Sequence, residues 1–105
     1  MLKLYILIKN TCPDNVAPLI AAHATMGVYN KFKDRDLMKA WATSKSFAKV
    51  VCKVTPEQFD QAKAYGEFNT ITENRHQHLG EIGMAFDIQK DYPKFLKYLQ
   101  LWKVG

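Results

Sequence analysis

The residues best suited to chemistry stand together in one polar stretch: Glu73, Arg75, His76 and His78, between Thr72 and Gly80. A carboxylate, a guanidinium and two imidazoles so close in sequence can grip phosphate, hand on a proton or ligate a metal. Metal binding is the poorest of the three, because His76-x-His78 has no cysteine or third histidine at zinc spacing. In an extended segment the two rings would share one side. The functional reading is a cationic loop contacting phosphate through Arg75 and the histidines; the plain one is a solvated loop. His23 also has two readings. It shares a helical stripe with Leu19 and Met26, which suits a hydrogen-bonded core histidine, or it lies beside a cleft and takes part in catalysis. Trp41, Tyr65 and Phe68 are a stacking face for a base or, more plainly, packing groups. There is no Gly-rich phosphate loop, G-x-S-x-G or zinc-finger spacing.

Regular elements must carry these groups. Leu2 to Ile8 is apolar almost throughout, as in a strand covered on both faces. Lys9 to Asn15 is rich in turn formers, and Asp14 or Asn15 is placed to cap the next helix, with Pro18 in its first turn. That helix runs from Val16 to Phe32 with the stripe Leu19, His23, Met26 and Asn30. A second short helix spans Leu37 to Ala42. Phe47 to Val54 reads as a strand, and Thr55-Pro56-Glu57 as a helix start that continues to Gly66. Phe68 to Thr72 is a third strand and Glu81 to Ile88 a fourth. Tyr92 to Lys103 reads as an amphipathic terminal helix with Phe95, Leu96, Leu99 and Trp102 inward and Lys90, Lys94, Lys97 and Lys103 on its basic side. The order β-α-α-β-α-β-β-α predicts one α/β domain over 1–105, a mixed, mostly parallel four-stranded sheet with helices on both faces.

Composition bounds the class. With 105 residues there is room for one core, and 48% hydrophobic residues suffice to build it. A net charge of +5 favours anionic partners: nucleic acid, nucleotides or an acidic protein face. Two cysteines make no disulfide framework; Cys12 precedes a proline in a loop and Cys52 lies in an apolar run. No signal peptide or membrane span is legible, so the expected location is the cytoplasm, including that of an infected cell.

Three segments resemble the type II peptidyl-tRNA hydrolases. Lys3-Leu4-Tyr5-Ile6-Leu7-Ile8 is similar to that family's first strand. His23-Ala24-Thr25-Met26-Gly27-Val28-Tyr29 is similar to its S-H-A-A-x-G-A-Y helix signature. Lys49 to Val54 with Thr55-Pro56-Glu57 is similar to its second strand and the helix start after it. The family writes its first helix K-I-A-A-Q-x-S-H, with lysine and glutamine facing the cleft; counting back from His23, these positions are Val16 and Ile20. The family's D-A-G-R-T-Q-I segment appears as Glu73 to Leu79, where Glu73 keeps the carboxylate.

The resemblance implies cleavage of the ester between a peptide and the terminal ribose of tRNA. That reaction needs a positioned water, a base for it and a donor for the developing oxyanion. Glu73 and His23 are then the candidate catalytic groups. Val16 cannot supply the charge of the family's lysine, a loss of roughly 3 kcal/mol in the barrier unless Lys9, Arg75 or His76 reaches the same place. The expected ligand-binding set is Lys9, Val16, Ile20, His23, Glu73, Arg75, His76 and His78. The expected function is binding of a nucleotide or aminoacyl-adenosine-type ligand without turnover, for instance to sequester a nucleotide signal. An active peptidyl-tRNA hydrolase and a protein–protein interaction module are the alternatives. The expected partner is an anionic ligand, a nucleotide or a tRNA 3′ end, with no cofactor, metal or membrane and with a homodimer left open.

Overall fold

The computed structural model describes residues 1–103. Its elements are β1 (Leu4–Lys9), α1 (Ala17–Phe32), α2 (Asp36–Ala42), β2 (Lys49–Val54), α3 (Pro56–Ala62), β3 (Phe68–Ile71), a 3₁₀ turn (Asn74–Leu79), β4 (Gly83–Phe86) and α4 (Lys94–Lys97). The sheet order is β2-β1-β4-β3. β1 pairs parallel with β2, whereas β4 pairs antiparallel with both β1 and β3. The expectation of a mostly parallel sheet is therefore corrected. β1, β2 and β3 run in one direction, but β4 follows β3 through a short connection and lies reversed between it and β1, so two of the three pairings are antiparallel.

Side-chain alternation along β1 divides the core. Leu4, Ile6 and Ile8 point to one face, under Ile20, Ala24 and Val28 of α1 and Met38 and Trp41 of α2. Tyr5 and Leu7 point to the other, against Phe59 and Ala62 of α3 and Leu96 and Leu99 near α4. The inward stripe of α1 is Ala17, Ile20, Ala24, Val28 and Phe32, not the expected Leu19, His23 and Met26. Leu19 is 43% and Met26 59% exposed, and His23 is exposed with them, so it is no core histidine. The error has a physical origin: α1 is apolar or small on most sides, so periodicity alone does not select its buried face. β4 admits the helix closely, since a Cβ on Gly83 would stand 2.6 Å from Ile20 Cγ2.

The ends of the helices also depart from expectation. Neither Asp14 nor Asn15 caps α1; its first amides, Val16 and Ala17, both bond the Pro13 carbonyl (3.0 and 3.2 Å). Thr55 does cap α3, through a reciprocal box with Gln58, but that helix ends at Ala62 rather than at Gly66. The terminal helix shrinks to Lys94–Lys97. Beyond it the chain crosses the edge of β2: Lys53 N–H donates to the Gln100 carbonyl (2.8 Å) and Trp102 N–H to that of Val51 (2.9 Å). The predicted stripe is thus split, Leu96 and Leu99 on the α3 face and Trp102 on the α1 face. A continued helix would have left the β2 edge without backbone partners. No helix among the described residues is long and apolar enough to cross a membrane.

Candidate functional site

The register brings the carboxyl ends of β1, β2 and β3 to one end of the sheet: Lys9 lies opposite Val54, and Gly83, the first residue of β4, opposite Ile8 and Ile71. Open α/β sheets bind ligands at such ends. The loop into α1, the start of α3 and the connection from β3 to β4 all emerge here.

That connection carries the polar cluster. Instead of an extended loop it is the 3₁₀ turn Asn74–Leu79, interrupted at His76 (φ −130°, ψ 40°). The turn starts because Glu73 acts as its cap: Glu73 Oε2 accepts from the Arg75 amide at 2.7 Å. The same oxygen lies 2.8 Å from His76 Nδ1. Glu73 is 6% exposed, the one buried charged side chain among the described residues. The hydrogen bond from His76 holds its carboxyl below the ordinary value of 4.5, burial pushes the other way, and the Arg75 amide adds to the lowering. Gly80 closes the turn at φ 66°, ψ −145°, a conformation in which an L side chain would be strained.

A carboxylate bound to Nδ1 fixes an imidazole and leaves Nε2 for other work, either accepting a proton or donating to an anion. His78 stands beside it, ring centroids 6.1 Å apart, in a 3₁₀ turn rather than on one side of an extended strand. Arg75 and His78 are exposed, and neither side chain has a hydrogen-bond or ion-pair partner among the described residues.

The other sequence candidates are dispersed. Ile20 is fully buried and Val16 is 8% exposed, both in the α1-side core, so the two positions that matched the family's polar pair pack against the sheet. A fully buried isoleucine has no surface to offer a ligand, which corrects the place of Ile20 in the binding set. Lys9 is turned to the opposite face, its Nζ 4.6 Å from the Phe59 ring centroid. His23 stands on the solvent side of α1 and makes no hydrogen bond with the turn. Among the described residues no group of three or more His, Cys, Asp or Glu side chains gathers as metal ligands would.

Two features escaped the sequence reading. Glu81, on the α3 side, accepts from Lys63 Nζ (2.9 Å) and from Thr70 Oγ1 (2.8 Å); these two bonds lower its pKa, Lys63 first. This set ties α3 to the strand ends beneath the turn. The other feature is a pair of apolar cavities on α1, of 210 and 250 Å³. No sequence signal could have found them, since they depend on which strands α1 leaves uncovered. No protein-family model and no curated protein matches this sequence.

Proposed function

We propose that this chain is a type II peptidyl-tRNA hydrolase-like domain that holds a nucleotide or aminoacyl-adenosine-type anion without turning it over. The observation that carries the reading is the turn at the carboxyl end of the sheet. There a buried Glu73 anchors His76, and the Arg75 and His78 side chains have no hydrogen-bond or ion-pair partner among the described residues. The guanidinium of Arg75, the imidazole of His78 and the remaining ring nitrogen of the anchored His76 suit phosphate or a ribose-linked carboxyl group. Binding is favoured over catalysis by what surrounds them. Lys9 faces Phe59 and Val16 is packed in the core, leaving Arg75 as the nearby cation for an oxyanion. A cytoplasmic binder of this kind would serve to sequester a nucleotide signal or a tRNA end.

The Glu73–His76 pair favours a second reading, ester hydrolysis with His76 as the base that takes a proton from water and Glu73 as its positioning residue. Thermal unfolding with AMP, ATP and uncharged tRNA, joined to turnover of peptidyl-tRNA, tests both. A ligand present at a hundred times its Kd adds about 2.7 kcal/mol of stability, a readily measured rise in Tm. The binder predicts that rise, its loss in R75A/H78A and turnover at background. No rise with any of the three overturns it. Turnover that His76→Ala abolishes establishes the hydrolase instead.

A further inference from the structure

α1 packs on β1, β4 and β3 and makes no comparable contact with the same face of β2, where Val51 is only partly covered. Because Leu4, Ile6 and Ile8 lie opposite Lys49, Val51 and Lys53, those three residues of β2 face the α1 side. The result is a groove with β2 as floor and α1 as one wall. Two cavities follow each other along it, 210 Å³ between Ala17, Pro18, Ala21, Val51 and Trp102, and 250 Å³ bounded by Met26, Tyr29, Trp41, Phe47 and Lys49 among others.

Three observations mark this groove as a binding surface. Phe47 holds φ at 44°, the left-handed region that a bulky residue avoids at a cost of roughly 1–2 kcal/mol, and the residue nevertheless remains 46% exposed on the cavity wall. Met26, at 59% exposure, adds a flexible apolar side chain of the kind found on recognition surfaces. The charge is also one-sided. Lys49 Nζ sits 5.5 Å from the Trp41 and Phe47 centroids, Lys53 Nζ sits 4.6 Å from that of Trp102, and among the described residues no carboxylate lines either cavity.

We propose that this groove docks an acidic, amphipathic segment of a partner protein, independently of the Glu73–Leu79 turn. Each cavity is smaller than the usual 300–1,000 Å³ site for a whole small molecule but larger than the ~150 Å³ that admits benzene, so each takes one large apolar side chain. The mid-points of the two α1 stretches lie about 12 Å apart at 1.5 Å per residue. Anchors two turns apart on a helix, or four positions apart on a strand, meet that spacing. Asp or Glu beside the anchors would face Lys49 and Lys53. A second copy of this chain fits poorly, because its net charge is +5 and it would bring more cations to the lysines. Nucleic acid fits poorly too: Trp41 is 2% exposed and the Trp102 ring is already faced by Lys53, so neither indole offers an open face for a base.

Selection of short random peptides displayed on phage against the whole domain tests the proposal. Both tryptophans line the cavities, so intrinsic fluorescence reports occupancy. Selected peptides should carry two large apolar residues flanked by Asp or Glu. K49E/K53E should weaken them by about tenfold or more, and lysine-substituted versions of the same peptides should regain affinity for K49E/K53E. Phe47→Gly relieves the backbone, so it should keep the fold while losing affinity; Arg75→Ala should change nothing. No enrichment, affinity unaffected by K49E/K53E, or loss in Arg75→Ala each overturns the proposal. An oligouridylate that binds more tightly through the same lysines gives the groove to nucleic acid, and a dimer that Met26→Glu dissociates gives it to a second copy; either also overturns it. Failure of nucleotides to stabilise the protein touches the turn alone.

Discussion

The Glu73–Leu79 turn and the α1–β2 groove are opposite kinds of surface on one small domain. The turn gathers a carboxylate, a guanidinium and two imidazoles and lines neither groove cavity; the groove encloses space between mainly apolar walls, with Lys49 and Lys53 as its charges. In the turn the buried polar atoms find partners within three residues, as Glu73 does with Arg75 and His76. In the groove Trp102 Nε1 is buried with no partner among the described residues. The contrast teaches that residues able to do chemistry and surfaces able to hold a partner are specified differently. Local sequence specifies the first and packing geometry the second.

Between the two regions lies the inward face of α1, which must be plain core for the contrast to hold. The hardest test is Ile20→Gln. If position 20 faced a polar cleft, the amide would be tolerated. In the core it loses packing and buries an amide with no partner, a destabilisation of about 3 kcal/mol or more by urea unfolding. A loss under about 1 kcal/mol would return Ile20 to the cleft and erase the boundary.

Gly83→Ala should come next, at about 1–3 kcal/mol, because the new Cβ would stand 2.6 Å from Ile20 Cγ2 and 3.6 Å from the Leu7 carbonyl oxygen. Ile20→Ala removes Cγ2, the obstacle itself, so the double variant should cost less than the sum of the singles. Strict additivity would mean that α1 does not rest on β4 at this point.

Glu73→Gln addresses the turn through its pH dependence. The folded carboxyl titrates below its ordinary 4.5, so its stabilising contribution is complete above that value and is lost as pH falls through the lowered one. The amide cannot titrate. The urea midpoint of Glu73→Gln should therefore fall less steeply on acidification than that of the parent, while a slope unchanged from the parent would mean that the turn is not held by this carboxylate.

What the sequence disclosed follows the same division. Periodicity and turn chemistry found the four strands, the first three helices and the Thr55 cap, because those depend on neighbours along the chain. The polar turn was found for the same reason. The buried face of α1 was not, since its sequence is apolar or small nearly all round and only the Gly83 approach selects Ile20 over Leu19. The terminal helix failed because the open edge of β2, a feature of the assembled sheet, competes for residues 100–102. Lys49, Val51 and Lys53 become one side of a groove only once β2 is an edge strand beyond the reach of α1.

The smallest expected effect is the most pointed. Trp102→Phe removes indole area from the groove wall and also removes a buried N–H that has no partner among the described residues. The lost area is destabilising. The orphaned donor, whose burial costs about 1–3 kcal/mol, is relieved at the same stroke. The two changes oppose each other, so the net effect on unfolding free energy should stay within about 1 kcal/mol. Its backbone bond to Val51 is untouched, and the strap over the β2 edge should persist in hydrogen exchange. A loss well beyond that range would mean that the indole N–H is satisfied in solution. The groove wall would then be polar at this point, and the contrast between an apolar groove and a polar turn would narrow to the cavity around Phe47.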